Sequence, residues 1–483
     1  MFDDDWNSDE KRPSTVAVLP SNDETEIPSV VQLQPFDNQV GGHSHIFRFS
    51  KRAVCKPLVS RENEFYEAIE REHPSLLSFV PQYLGVLNVS YRHVDKHTQD
   101  DTVTDAQNNI TYTEAATSPD NQRGRPKVSR GTSEANVPTR RRIFQDESRQ
   151  RTPRPFQILH ADMTVDQVEP SPVRQEQFLL MEDLTGRLKF PCVLDLKMGT
   201  RQYGLDATDK KRKSQTKKCD KTTSRTHGVR ICGMQVYDSK KDNYLFQDKY
   251  YGRQIAPDQF STALARFFED GKCLLVHHIP IILEKLYRLA GIIFRLKGYR
   301  FYASSLLFIY DGDEQTQSRL LREFEHRRRH GQAGTIPSSA PPNRRRKKGE
   351  INIRIIDFAH CTTGHDYIYP DEDAADEAEL EALRAAGRPI VRFPPQWRDG
   401  PDSGYLFGLQ HLARSFEEIW DRERQRRKSE AEKQAKDSGI QEEEQLKILI
   451  QKADLGDLII DGSDVFDGIF ADSRDGLDGH VSS

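Results

Sequence analysis

Residues 191–204 read PCVLDLKMGTRQYG, an apolar run that carries one acid and one base two positions apart and then stops at a glycine. In an extended strand, residues i and i+2 point to the same face. Val193, Asp195 and Lys197 therefore share one side, and Cys192, Leu194 and Leu196 pack on the other. A carboxylate and an ammonium on an otherwise buried strand need a reason, because unpaired buried charge is costly. A salt bridge between them would be one. A polar exit built from Gly199, Arg201 and Gly204 suggests the other, a ligand that meets both.

The flanking segments supply further candidates. From Ala207 to Cys219, Lys211, Ser214, Gln215 and Lys218 fall at i, i+3, i+4 and i+7, one stripe of a helix. Such a stripe suits an anion with several phosphates, although a solvated basic face has the same spacing. Lys210, Arg212, Lys213 and Lys217 crowd the same helix, a repulsion that an anion or acidic partner would relieve. Downstream, INIRIIDFAH is an apolar strand ending at Asp357, a usual place for a magnesium carboxylate. Upstream, Gly41 and Gly42 mark a hairpin, AVCKPL (53–58) a strand with Lys56, and RENEFYEAIE (61–70) a helix with Glu62 and Glu64. A strand lysine followed by a helical acid is how kinases grip ATP phosphates. LLMEDLTG leads a strand into Glu182 and Asp183, a candidate hinge offering backbone groups to a purine.

The order is lysine strand, acidic helix, hinge, terminal aspartate. It predicts an α+β fold of two lobes resembling the protein-kinase and ATP-grasp folds. The HRD catalytic loop of protein kinases is missing, and so is a base for a hydroxyl acceptor.

Composition sets the rest. Of 483 residues, 35% are hydrophobic and 30% charged, so part of the chain is expected to stay outside any core. Residues 1–27 read as disordered, 28–94 as the first part of an N-terminal lobe, and 95–172 as a disordered basic insertion. Residues 173–185 complete that lobe and the hinge. Residues 186–425 form a C-terminal lobe with a disordered insertion at 313–350, and 426–483 a charged helix and acidic disordered tail. The tail alternates Asp with Leu, Ile, Val and Phe, a pattern that could also cover the basic stripe in cis. The net charge of −4 argues against nucleic-acid binding by the whole molecule. The six cysteines form no CxxC pair, which fits a reducing compartment. The acidic start MFDDDWNSDE is no signal peptide, and every apolar run is too interrupted to span a bilayer. A cytoplasmic or nuclear monomer is expected, with protein partners, if any, on the insertions and tail.

PCVLDLKMG matches the PxxxDxKxG signature of the inositol polyphosphate kinase family, and SSLLFIYDG (304–312) and IIDFAH (355–360) resemble its other two signatures in order. GTRQYG, VRICGMQVY, KYYGR and GYLFGL are similar to the inositol hexakisphosphate kinase branch, in its fungal form with long insertions. The resemblance spans roughly 40–90 and 177–420. It implies ATP and Mg²⁺ as cofactors and an inositol polyphosphate as acceptor. Lys56, paired with Glu62, would contact ATP phosphates. Glu182 and Leu184 would meet adenine through the backbone, and Asp195 the ribose. Lys197, Lys211, Ser214, Gln215 and Lys218 would bind the acceptor. Asp357 would hold magnesium, and His360 would sit near the transferred group. Ser305 of the SSLL signature is open between catalysis and packing. The resemblance also admits an inositol trisphosphate kinase or multikinase, and a scaffold that binds inositol phosphates without turnover.

Overall fold

The computed structural model describes residues 30–41, 45–91, 156–159, 174–330, 349–367, 389–440 and 442–471. The N-terminal lobe is an antiparallel six-stranded sheet in the order β4-β6-β3-β2-β1-β5. Its strands are β1 (Val30–Pro35), β2 (Phe47–Arg48), β3 (Ala53–Pro57), β4 (Tyr83–Tyr91), β5 (Phe156–Leu159) and β6 (Arg174–Glu182). One helix, α1 (Ser60–Glu72), follows β3 and buries Phe65, Tyr66 and Ile69, spaced for a single face.

The C-terminal lobe is built on a second antiparallel sheet, β11-β10-β7-β8-β9. Its centre is β7 (Pro191–Met198), flanked by β8 (Val229–Asp238) and β10 (Ser305–Asp311), with β9 (Asn243–Gln247) and β11 (Asn352–Ile356) at the edges. Buried on both faces, β7 reads as a near-continuous apolar run rather than as an alternation. Cys192, Leu194, Leu196 and Met198 are fully buried on one side of it, leaving Asp195 and Lys197 on the other. A β-bulge in β8 interrupts the pairing between Asp195 and Leu196.

The helices in chain order are α2 (Asp209–Asp220), α3 (Thr223–His227), α4 (Lys249–Gln254), α5 (Phe260–Ala265), α6 (Ile279–Arg295), α7 (Glu314–Arg329), α8 (Ser403–Asp437), α9 (Glu443–Ala453) and α10 (Val465–Ile469). The apolar faces of α6 and α8 pack on the sheet in one core with Leu286, Leu289, Leu409, Phe416 and Trp420. Among the described residues no helix is long and apolar enough to cross a membrane.

Three boundaries differ from the sequence reading. The insertion assigned to 313–350 begins as α7, capped by Asp313 and burying Leu320 and Phe324. Those two apolar residues, with the half-buried Leu321, sit on a helix otherwise polar and charged, so composition hid an ordered face. Within the insertion assigned to 95–172, Phe156–Leu159 pairs with β1, and the remainder lies outside the described residues, as do 1–27. The tail assigned to disorder folds back instead. Leu455, Ile460 and Phe466 are buried, Phe466 meets Tyr287 of α6 edge-on at 6.0 Å, and Trp420 donates to Gly456 O at 3.0 Å. Its aspartates serve as anchors: Asp454 is held by Arg424 and Lys428. The tail through residue 471 therefore packs on α6 and α8 and not across the basic stripe, and residues 472–483 lie outside the described set.

At the start of α6 the buried His277 and His278 both point Nε2 at Gln317 Oε1, at 2.9 and 3.0 Å. Burial pushes both imidazoles down, His277 to about 4. As pH falls from the ordinary 6.5 toward 4, the unfolded chain takes up protons that the folded chain refuses, so stability declines across that window. His277 alone accounts for up to about 3 kcal/mol of this. Replacing His277 with Phe is expected to flatten the pH dependence of the urea midpoint between pH 6.5 and 4, relative to the unaltered protein.

Candidate active site

The site forms where β3 and α1 of the first lobe face β7, β8 and the end of β11. Lys56 leaves β3 and is only 5% exposed. Its Nζ lies 2.8 Å from Glu62 Oε1 and 3.5 Å from Asp357 Oδ1. Glu62 stands in the first turn of α1 and points inward, and the same Oε1 accepts from Phe358 N at 3.0 Å. One carboxylate oxygen thus fixes the strand lysine and the backbone just after Asp357. The second oxygen of Asp357 takes Lys197 Nζ at 3.2 Å. Burial alone would raise the Asp357 carboxyl, but Lys197 and Lys56 outweigh it and hold it at about 2. Asp357 also sits at φ 67°, a strained conformation for a non-glycine residue, at the point where β11 ends.

Asp195 and Lys197 do share a face, but the salt bridge that Lys197 makes is to Asp357. Asp195 is 2% exposed, and its Oδ1 has no hydrogen-bond partner. Burial pushes this carboxyl up, with Lys197 opposing. Its other oxygen lies under the β1–β2 connection: a Cβ placed on Gly41 would stand 2.0 Å from Asp195 Oδ2. Likewise a Cβ on Gly233 would stand 1.8 Å from Val40 O. Glycine at both positions lets the hairpin backbone rest directly on β7 and β8.

The stripe on α2 holds together. Thr208 caps the helix by accepting from Lys211 N, and Lys218 Nζ donates to Gln215 Oε1 at 3.1 Å. Burial and the nearby Arg253, Arg230 and Lys211 push the Lys218 ammonium down, so cations converge here. Ser214 is exposed on the same helix. His360 is pushed down by burial and then by Lys211, which places it beside the stripe.

Arg230 is what the sequence reading missed. It lies directly across from Lys197 in the β7–β8 register, is 7% exposed, and donates to Ser224 Oγ at 2.8 Å. Like charges facing each other across strands are destabilising, and burial is the main force lowering the Arg230 guanidinium. In the sequence it is one arginine at the start of a strand; only the register reveals its neighbour. Arg61 of α1 was missed too: it grips Asp206 through both nitrogens, at 3.2 Å, and stacks on Tyr367.

At the hinge, Glu182 N donates to Gln82 O at 2.9 Å, and Leu184 follows half-buried. Asp183 Oδ1 fixes the turn by accepting from Thr185 N, Thr185 Oγ1 and Gly186 N at 2.8, 2.8 and 2.9 Å. Ser305 pairs in register with Lys197 from the other side, and its buried hydroxyl favours the charged form of Asp195.

Among the described residues no three His, Cys, Asp or Glu side chains gather as a ready-made metal cage. The donors present nonetheless fit a hard cation that takes one or two carboxylates and completes its shell with phosphate oxygens. Asp357 is held fully ionised, and Asp195 keeps one oxygen without a partner.

A strand lysine paired to a helical glutamate, a hinge, a strand-end aspartate and a cationic helix facing them define a two-lobed phosphotransferase. A family model described as inositol polyphosphate kinase matches residues 178–417. Inositol hexakisphosphate kinase 1 of Homo sapiens is 34% identical over 445 residues, covering 81% of this chain and 94% of that protein. Inositol hexakisphosphate kinase 3 of Homo sapiens is 32% identical over 451 residues, covering 84% and 100%. A crystal structure of inositol phosphate multikinase Ipk2 from S. cerevisiae, in complex with ADP and Mn²⁺, aligns with TM-score 0.42 and 20% identity, covering 76% of this chain and 99% of that one. The chain belongs to the inositol polyphosphate kinase family, on its inositol hexakisphosphate kinase branch.

Removing one partner of the buried Lys56–Glu62 pair strands a charge. Glu62→Ala is expected to cost about 3 kcal/mol or more in urea unfolding, whereas Lys56→Met with Glu62→Met together recovers much of that stability.

Proposed function

We propose that the protein transfers the γ-phosphoryl group of ATP to a phosphate of inositol hexakisphosphate, giving an inositol pyrophosphate. The observation that carries this reading is the pairing of Lys197 with Arg230 on adjacent strands, next to Lys211 and Lys218. That crowding of positive charge is tolerable when a polyanion sits in it.

The roles are those the resemblance implies, and the positions of the residues support them. Lys56, oriented by Glu62, takes the ATP phosphates. Glu182 and Leu184 offer backbone groups to the base, and Asp195 uses its unpartnered oxygen for a ribose hydroxyl. Lys197 stands between the two substrates, bonded to Asp357 on one side and opposite Arg230 on the other. Lys211, Ser214, Gln215 and Lys218 hold the acceptor's outer phosphates, with His360 at the near edge. Asp357 is the residue to hold Mg²⁺, whose chemistry when bound is to neutralise the phosphate oxygens. A phosphate nucleophile is already anionic, so no general base is required, and the residues' task is to hold two polyanions in line and offset their repulsion.

One observation favours a second reading. Burial and Lys211 disfavour the charged form of His360, so a neutral imidazole, though a weaker base than usual, stands beside the stripe. A multikinase-like reaction would then use it.

The deciding experiment is MgATP turnover against inositol phosphates bearing three to six phosphates, with the products analysed for a pyrophosphate bond. Pyrophosphate from the hexakisphosphate, persisting in His360→Ala, is expected. Products limited to ring monoesters, with His360→Ala inactive, would mean the second reading. Asp357→Ala is expected to abolish turnover and spare acceptor binding. Acceptor binding with no turnover in the unaltered protein would point to a scaffold. Acceptor KM should rise steeply with salt, and the slope should shrink in Lys211→Gln with Lys218→Gln, because these contacts are screened.

A further inference from the structure

The connection between β1 and β2 is fastened at its base by a chain of buried polar groups outside the roles given above. Gln235 of β8 donates Nε2 to Asn38 Oδ1 at 3.1 Å and to Pro191 O at 2.9 Å. Asn38 Nδ2 donates to Thr185 Oγ1 at 3.1 Å. The Thr185 hydroxyl donates to Asp183 Oδ1 at 2.8 Å. Thr185 and Gln235 are 4% and 3% exposed.

The direction of this chain is forced. A carboxylate can only accept, so the Thr185 hydroxyl must give its one hydrogen to Asp183 and can only accept from Asn38. Asn38 must therefore turn its NH₂ to Thr185 and its oxygen to Gln235, which answers with its own NH₂. Such a row of aligned donors ending on an anion is mutually strengthening in a dry interior.

The chain joins three parts by side-chain hydrogen bonds, adding to their backbone packing: the hinge, the first lobe's hairpin and strand β8 of the second lobe. Its spacing also sets where the hairpin goes. Asn38 meets Gln235, and two residues on Val40 O rests on Gly233, two residues back. The segment thus runs antiparallel along β8 and delivers Gly41 onto Asp195 Oδ2. Within the hairpin, Gln39 Nε2 donates to Gly41 O at 3.0 Å and its Oε1 accepts from Ile46 N at 3.4 Å. The loop is thereby braced at both ends of the described part.

We infer that Asn38 is a positioning residue for the nucleotide. By tying the hairpin to the hinge and to β8 at once, it fixes the height of the hairpin backbone above Asp195 before ATP arrives, so that less ordering remains to be done on binding. It touches no substrate itself. The inference rests on the reading that Asp195 meets the nucleotide, so the test carries its own control.

Binding of ADP with Mg²⁺ and, separately, of inositol hexakisphosphate is measured by titration calorimetry on the full chain and on Asn38→Ala, Thr185→Val, Thr185→Ser, the Asn38→Ala/Thr185→Val double variant and Asp195→Asn. Asn38→Ala and Thr185→Val are each expected to weaken ADP about tenfold, as loss of a bond in a charge-terminated chain does. The double variant should be no worse than either, Thr185→Ser should keep the original affinity, and the inositol phosphate should bind all four hairpin and hinge variants equally. Unchanged ADP affinity in Asn38→Ala while Asp195→Asn loses it would overturn the inference and leave the nucleotide site standing. ADP and inositol phosphate affinities falling together, in step with the melting temperature, would reduce Asn38 to a stabilising residue. Asp195→Asn binding ADP as well as the unaltered protein would remove the nucleotide reading itself.

Discussion

Asp357 is where the two lobes are electrically joined. One oxygen faces Lys56 from the first sheet and the other faces Lys197 from the second. Glu62 then grips both Lys56 and the backbone of Phe358, so a helix of one lobe determines how the last strand of the other ends. Two acids and two bases, Lys56 and Glu62 buried and Lys197 and Asp357 partly so, are balanced as a set. None could be taken out of water alone at tolerable cost. Asp357 holds this place between two lysines with a positive φ.

Beyond that balanced set the charge stops balancing. Arg253, Arg230 and Lys211 add to burial in pushing the Lys218 ammonium down, and Arg253 does the same to Arg230, where Asp195 opposes it. Around Asp195 the balance differs: burial pushes its carboxyl up, and Lys197 opposes. The two halves of the cleft therefore call for different ligands: one for groups that donate hydrogen bonds to a carboxylate, the other for a dense anion. Lys197 stands on the seam, two residues from Asp195 and facing Arg230 in register.

What was legible in the sequence was what depends on parity and on uninterrupted apolar runs. β7, β10 and β11 are bounded by glycine, aspartate or proline and could be read directly; so could the common face of Asp195 and Lys197. Lys56, Glu62 and Asp357 were legible one by one, and their convergence followed from order along the chain. Arg230 was not, because its meaning lies in a register across two strands separated by α2 and α3. The identity of the partner of Lys197 was not either: neighbouring Asp195 was as plausible from sequence as Asp357, more than a hundred and fifty residues away. α7 and the tail were misread for a different reason. Their core-facing residues, Leu320, Phe324, Leu455, Ile460 and Phe466, are sparse among charges, and composition averages them out. They become visible only against the faces of α6 and α8 that they cover.

The folded tail has a consequence for the long helix α8. Trp420 is fully buried and bonded to Gly456 O, and Asp454 clasps Arg424 and Lys428 one turn further on. A chain cut before residue 454 would therefore lose more than an appendage. It would bare an indole and the side of Tyr287 to solvent and leave two cations without their counter-ion, turning a quiet outer wall into an adhesive one.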